Sequence, residues 1–507
     1  MQHLLGIDLG TTGLKAAVFD VEGALLGLGR STNEYLPGPV GWAEQDPRTW
    51  WDGCRRAIRQ ALAQSGLQPE AIAGIGVCGF HHCPVFLAAD GEPARPTVVT
   101  HDRRLGAALA DLQRSGLLDE IVRISGSQVV TGHFPSIYHL LQQEDPGALE
   151  RTRWILLAKD YLRFRLTGEV GTEICDATGT HLVALPDQTW SEVLCSLLDV
   201  PRGKLPEIGQ PSAVAGYVSP EAAQETGLRA GTPVAYGGGD SHCALVGLGV
   251  VGSGEAGLLL GTNSTLRASF DGLVRAREQM VWVQQHVVPG HYTASASSMA
   301  GSSVLSWFKD LCTAGGPDEA GAYRQLDSLA GQVPPGSDGL LFHPYLFGER
   351  SPFYNPDAGG AFLALRHWHG RGHLARSIME GVAFSIANCL EAIRGLVPEQ
   401  QNWPVTIRTG QSGGSQLPVW RQVIADVLAQ PLDVVAVDEP GCLGAAVLAG
   451  VSVGLLEDVE TAAQRIAHVG DRIRPDAANI DLYKNRRDLF NETYRALEPR
   501  LYQGGAG

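Results

Sequence analysis

Two short turns carry residue types that hold phosphate. Gly10-Thr11-Thr12-Gly13 separates the apolar runs Leu4–Leu9 and Leu14–Phe19, and Gly261-Thr262-Asn263 follows a third apolar run ending at Leu260. Glycine lets the backbone approach an anion closely, and the N–H and hydroxyl groups of Thr11, Thr12, Thr262 and Asn263 are suitable donors to phosphate oxygens. Two such turns can hold a nucleotide between them, although Gly-Thr turns also close hairpins that bind nothing. An acid precedes only the first turn: Asp8 stands where the second has Leu259. Another acid, Asp240, ends the stretch Tyr236-Gly-Gly-Gly-Asp240-Ser241-His242. A carboxylate at a strand-to-helix turn can cap the helix, but beside two phosphate-type turns it reads as a general base.

Hairpins must present these turns. Leu4–Leu9 and Leu14–Phe19 fit two strands around a tight turn, and Gly6–Asp20 can be laid on Gly257–Asp271, 251 residues later. Identity holds at Gly6/Gly257, Leu9/Leu260, Gly10/Gly261, Thr11/Thr262, Ala17/Ala268, Phe19/Phe270 and Asp20/Asp271, seven of fifteen positions. That offset is close to half the chain, so a duplicated domain is expected, divided as 1–249 and 250–507; two buried hairpins converging on similar residues is the competing explanation. Cys243–Val250, after Asp240, reads as a helix, and Asp46-Pro47 as the cap of a plain helix start.

Composition bounds the function. At 507 residues and 44% hydrophobic residues the chain exceeds what one core supports, so two domains are expected. With 39 Lys and Arg against 54 Asp and Glu, a net charge of −15 disfavours nucleic acid as partner but allows a small anion in a local pocket. Nine cysteines between Cys54 and Cys442 lack repeated paired spacing, which points to a reducing compartment, the cytoplasm. Asp8 interrupts any leader-like apolar core at the N-terminus. The uncharged run Gly441–Leu456 has 16 residues and four glycines, short of the roughly 18 to 20 apolar residues of a membrane span.

With these residues in view, the chain resembles the FGGY family of carbohydrate kinases, within the actin-like, ribonuclease H-like ATPases, and its motifs are most similar to those of xylulokinases. The resemblance covers nearly the whole length. It rests on Gly6-Ile-Asp-Leu-Gly-Thr-Thr12, Leu157-Ala-Lys-Asp-Tyr-Leu-Arg163 with Leu166-Thr-Gly168, Asp176-Ala-Thr-Gly-Thr180 and the triple-glycine Asp240 motif. Leu260-Gly-Thr262, Tyr345-Leu-Phe-Gly-Glu-Arg350, Gly413-Gly414, Trp420-Arg421-Gln422 and Leu443-Gly-Ala-Ala446 follow in order. The resemblance implies an α/β fold of two actin-like, ribonuclease H-like domains with an interdomain catalytic cleft, and ATP-dependent phosphorylation of a sugar hydroxyl. It implies Asp240 as catalytic base and Asp8 as the acid that helps hold the Mg2+ of Mg-ATP. ATP would be held by Gly10, Thr11, Thr12, Gly261 and Thr262, by Gly413 and Gly414 at the adenine, and with added charge from Lys15. Ala364 stands where the family's C-terminal signature usually has glycine, a methyl group expected to be tolerated.

The acceptor side departs from the pattern. Where xylulokinases usually present Gly-Gln-Met-His-Gly, this chain has Gly79-Phe80-His81-His82-Cys83, and Thr100-His101-Asp102 replaces Trp-Asn-Asp. Ser241 stands for the asparagine after the catalytic acid, and Ile137 and Leu140 for a common lysine and tryptophan. His81, His82, Asp102, Asp240 and Ser241 are the expected acceptor-binding residues. D-Xylulose, giving D-xylulose 5-phosphate, is the first expectation; gluconate or another pentulose or polyol is the alternative, since paired histidines suit an acidic sugar. Cys78, His81, His82, Cys83 and His101 lack the spacing of a zinc site and read more simply as a polar pocket beside buried thiols. A chaperone-type ATPase would need a further domain after Ala446, and only 61 residues follow. A sugar-binding regulator without catalysis would have lost Asp8 or Asp240, and both are present. The expected partners are sugar and ATP, with no membrane; a homodimer is compatible with this reading.

Overall fold

The computed structural model describes residues 2–276, 280–313, 319–397, 405–411 and 413–501. Its first sheet contains β1 (His3–Leu9), β2 (Gly13–Phe19), β3 (Leu25–Thr32), β4 (Ile72–Gly79), β5 (Val214–Tyr217) and β6 (Pro233–Ala235), in the order β5-β6-β4-β1-β2-β3, and β7 (Gly238–Gly239) also pairs with β4. The second contains β8 (Glu255–Leu260), β9 (Ser264–Phe270), β10 (Trp282–Gln285), β11 (Tyr292–Ser298), β12 (Thr406–Thr409), β13 (Leu432–Val435) and β14 (Val469–Ile473), in the order β10-β11-β9-β8-β12-β13-β14.

The two sheets share one pairing scheme. β1 runs antiparallel to β2 and parallel to β4, β6 continues parallel, and β5 closes antiparallel. β8 with β9, then β12, β13 and β14, repeats that scheme. β1 and β8 are central strands, which is why both read as nearly continuous apolar runs. The registers differ by one residue. Leu9 pairs with Leu14 across the first turn, whereas Leu260 pairs with Ser264 across the second, so the second turn is shorter. The matches Ala17/Ala268, Phe19/Phe270 and Asp20/Asp271 therefore fall one residue out of structural register, while those up to Thr11/Thr262 hold.

Six helices position the site: α1 (Pro47–Ser65), α2 (Ala158–Thr167), α3 (Ile174–Gly179), α4 (Asp240–Gly247), α5 (Arg371–Arg394) and α6 (Pro440–Ser452). Asp46 caps α1 by accepting from the Arg48 N–H, with Pro47 in the first turn and Gly66 left-handed at the end. α1 packs on β2 and β3, and α5 fills the core of the second sheet.

The strands divide near residue 250, but 250–507 is not one packing unit. α6 packs on β1 and β4 of the first sheet, and Cys442, Leu443, Val447, Leu456, Val459 and Ile466 join the first core. The contact is backbone-close: a Cβ at Gly6 would lie 1.8 Å from the Cys442 carbonyl oxygen. Ala364 adopts φ of 61°, the left-handed region, so its methyl group is strained there, contrary to the expected tolerance. Among the described residues no helix is long and apolar enough to cross a membrane.

Candidate active site

Asp8 lies near the end of β1. Asp240 opens α4, carried there by β7, whose Gly238 and Gly239 pair with Cys78 and Gly79 of β4. Both acids line a cleft of about 680 Å³, with Lys15, Leu259, Gln416 and Glu439 around them. Burial raises both carboxyls above the ordinary range, and the Asp8 charge adds to the push on Asp240. Asp8 Oδ1 is buried without a hydrogen-bond partner, which is the kind of hard oxygen donor that suits a divalent cation. Leu259 faces the same cleft at the repeat position of Asp8.

The first turn is braced from behind. Gly10 N–H donates to the Gly13 carbonyl (2.8 Å), Asn33 Nδ2 to the Gly10 carbonyl (2.8 Å) and Gln45 Nε2 to the Thr11 carbonyl (2.8 Å). The second turn is tied to the Gly413–Gly414 loop through Ser302, which donates to the Leu260 carbonyl (3.2 Å) and accepts from Gly414 N–H (2.8 Å). Gly413, at φ of 58°, could carry no side chain without meeting that same carbonyl. Gly261 and Thr262 sit exposed at the turn, and Asn263 beside them lines a separate cavity shared with Gly10, Thr11 and Thr12. Lys15 reaches the cleft, but its Nζ is 2.6 Å from Glu439 Oε2, and Glu439 also takes Arg30 at 2.6 Å. Lys15 is thus a partnered charge, and its partner Glu439 is a cleft residue that the sequence reading did not name.

Gly10, Thr11 and Thr12 border a second cavity, of about 430 Å³, that shares Asp240, Ser241 and Leu259 with the first. His82 lines it in the left-handed region (φ 71°), with Nδ1 2.8 Å from the Gly179 carbonyl of α3 and its ring 4.2 Å from that of His133. Burial lowers His82 and His133 well below the usual histidine range, so both are neutral. His81 is 8% exposed and also lines this cavity beside Asp240, bonded through Nε2 to Ser241 Oγ (2.9 Å). His101 lines the cavity, and its neighbour Asp102 does not.

Asp102 is a correction to the expected pocket. It is 1% exposed, and its oxygens accept from Ala43 N–H (2.7 Å), Arg104 N–H (2.9 Å) and the Arg104 guanidinium (2.7 and 3.0 Å). Burial pushes the carboxyl up, and these donors outweigh it and hold it below the usual range. A carboxylate so saturated has no lone pair left for a sugar. Nearby, the Cys78 thiol donates to the Gly441 carbonyl, and among the described residues no cluster of three or more His, Cys, Asp and Glu could hold a metal ion.

Two cavity residues escaped the sequence reading. Arg267 of β9 is 5% exposed; it contacts both His242 ring nitrogens at 3.0 Å and donates to Gln284 Oε1 at 3.1 Å, while its Nε has no partner. Burial lowers it to about 10, still charged at neutral pH. Arg350 also lines the cavity; neither arginine has a direct ion pair among the described residues, but the charges of Asp240 on Arg267 and of Glu349 on Arg350 favour the charged guanidinium. An arginine within the apolar run Leu266–Phe270 was the available signal.

The N-terminal domain model of the FGGY family of carbohydrate kinases matches residues 3–247, and the C-terminal domain model matches 258–453. A xylulose kinase of Escherichia coli (strain K12) is 31% identical over 98% of this chain and 99% of its own, and one of Bacillus subtilis (strain 168) is 27% identical over 97% of each. The crystal structure of a xyloylose kinase from Brucella ovis superposes with a TM-score of 0.89 at 28% identity, covering 98% of this chain and 100% of that one.

Proposed function

Because the chain belongs to the FGGY family of carbohydrate kinases, we propose that it transfers the γ-phosphoryl group of Mg-ATP to D-xylulose, giving ADP and D-xylulose 5-phosphate. The observation carrying the reading is that Asp240 borders both cavities, one with Asp8 and one with the Thr11–Thr12 turn and the histidines. The xylulose kinases similar along nearly their full length support the choice of acceptor.

In this mechanism the turn Gly10–Thr12, with Asn263 opposite, orients the phosphates, and Gly413–Gly414 borders the adenine of ATP. Asp8 would hold magnesium, which supplies neutralisation of phosphate charge when bound. Asp240 takes the proton of the acceptor hydroxyl as its oxygen attacks the γ-phosphorus; the bond to the β–γ bridging oxygen breaks, and its electron pair leaves with ADP. Such a transfer depends on alignment and charge more than on covalent help, so positioned donors and one base suffice. A carboxyl raised by burial is a stronger base once ionised.

A sugar acid is the second reading, favoured by two buried arginines, Arg267 and Arg350, in the acceptor cavity: Asp240 and Glu349 favour their charged forms from nearby without a direct ion pair, so an acceptor carboxylate would gain close charged donors. Coupled ADP detection with D-xylulose, D-ribulose, xylitol and D-gluconate tests both. Highest kcat/KM for D-xylulose supports the first reading, and highest kcat/KM for D-gluconate replaces it with the second. No acceptor-dependent ADP from any sugar would sink the kinase reading in favour of a sugar-binding regulator.

A further inference from the structure

His81 is engaged at both ring nitrogens. Nδ1 lies 3.2 Å from Asp176 Oδ1, and Nε2 lies 2.9 Å from Ser241 Oγ and 3.5 Å from Asp240 Oδ1. The ring is wedged against Gly239, where a Cβ would sit 1.8 Å from His81 Cε1, so the third glycine of the run makes room for the imidazole. Behind Asp176 is a wholly buried charge cluster: Lys159 Nζ is 2.7 Å from Asp160 Oδ1, 3.4 Å from Glu173 Oε1 and 3.6 Å from Asp176 Oδ2. Arg267, His82 and His242 also face His81, the two imidazole centroids at 5.3 and 5.0 Å.

In the resting state Asp176 is ionised against Lys159, and an ionised carboxylate can only accept, so Nδ1–H donates to Asp176 and the Nε2 lone pair accepts from the Ser241 hydroxyl. Burial pulls His81 down to about 4, so the ring is neutral near pH 7. Asp240, once protonated by the acceptor hydroxyl, finds that lone pair as the nearest basic nitrogen.

We propose that Asp240, His81 and Asp176 form a proton relay that positions the base and removes its proton from beside the transferring phosphoryl group. The relay rests on the reading of Asp240 as the base. The Asp240 O–H bond breaks as its proton bonds to His81 Nε2. Nδ1 passes its own proton to the Asp176 carboxylate. Asp240 is again an anion, the imidazole is neutral in its other tautomer, and Asp176 is a neutral acid; no charge is created on the ring. Burial raises Asp176 despite the pull of Lys159, so the neutral acid is a stable end state. The proton returns by the same path when product leaves. His81 is a positioning residue, acting through Asp240.

The test uses the full chain, Mg-ATP and the best acceptor of the screen above, with His81→Met and His81→Gln. His81→Met should lower kcat about tenfold or more while both KM values stay within about threefold. Its acid limb in kcat/KM should move to higher pH, because an apolar thioether in place of the polar imidazole desolvates the Asp240 carboxylate further. His81→Gln can bridge Asp176 and Asp240 but cannot pass a proton, so it should keep the fold and the acid limb and still lose turnover. Full turnover in His81→Gln, or an unshifted acid limb with wild-type kcat in His81→Met, overturns the relay and leaves the kinase reading standing. A wild-type chain inactive on every acceptor overturns both.

Discussion

Gly441, in the first turn of α6, leaves space for the Asp8 carboxylate: a Cβ at Gly441 would lie 2.6 Å from Asp8 Oδ2. A residue of the second half of the sequence thereby shapes the surroundings of an acid on the first strand. Gly441→Ala should push on the carboxylate, lowering turnover about tenfold and raising the magnesium concentration for half-maximal rate. Asp8→Ala should raise the magnesium requirement in the same direction. Magnesium titrations of the initial rate check both, and a Gly441→Ala variant with unchanged magnesium dependence would separate Asp8 from the metal.

Asp240→Asn keeps an oxygen for the Ser241 N–H, which Asp240 Oδ1 now accepts at 2.5 Å, and removes the base. Turnover should fall by a factor of about 10² or more. ATP affinity, measured by calorimetry, should survive. Retention of most of the wild-type rate would remove Asp240 from the mechanism.

Arg267→Met should raise the acceptor KM about tenfold, the loss expected for one charged hydrogen bond, and leave the KM for ATP within about twofold. Steady-state kinetics with each substrate varied in turn decides. A larger loss for D-gluconate than for D-xylulose is the sign of an acceptor carboxylate; equal losses in both KM values would place Arg267 on the phosphates instead.

Glu349 is 2% exposed, and burial raises its carboxyl to about 7 although Ser298, Met299 N–H and Arg350 N–H all donate to it. A carboxyl raised in the folded state contributes stability that is complete below its unfolded pKa and lost as pH climbs through about 7. The wild-type melting temperature should therefore decline from pH 5 to pH 8, by the equivalent of roughly 2 to 3 kcal/mol from this group. Glu349→Gln should flatten the decline, and an identical pH profile in both proteins would contradict the assignment.

Ala364 is exposed and left-handed. Ala364→Gly should relieve roughly 1 kcal/mol of backbone strain and return part of it to the greater freedom of the unfolded chain. The expected result is a small rise in the urea midpoint with unchanged kinetics. A fall in the midpoint would mean that the methyl group is not strained.

The hairpins, both glycine turns and the placement of Asp240 at a helix start were legible in the sequence because each depends on residues within a few positions: apolar runs make central strands, glycines allow tight turns, and three glycines ending in an acid deliver it at a fixed point. The family resemblance followed from the same local motifs. What only the tertiary structure decided involves partners far apart in the chain. Asp102 and Asp240 are both acids near the sugar side in sequence, yet Asp102 is saturated by Arg104 and the Ala43 N–H, while Asp240 faces open cavity. Arg267 reads as one charge in a strand until β9 and α4 meet and leave its Nε buried without a partner. α6 belongs by sequence to the second half and by packing to the first sheet. Burial and pairing set a charged group's chemistry, and both come from contacts across hundreds of residues, which no local spacing records.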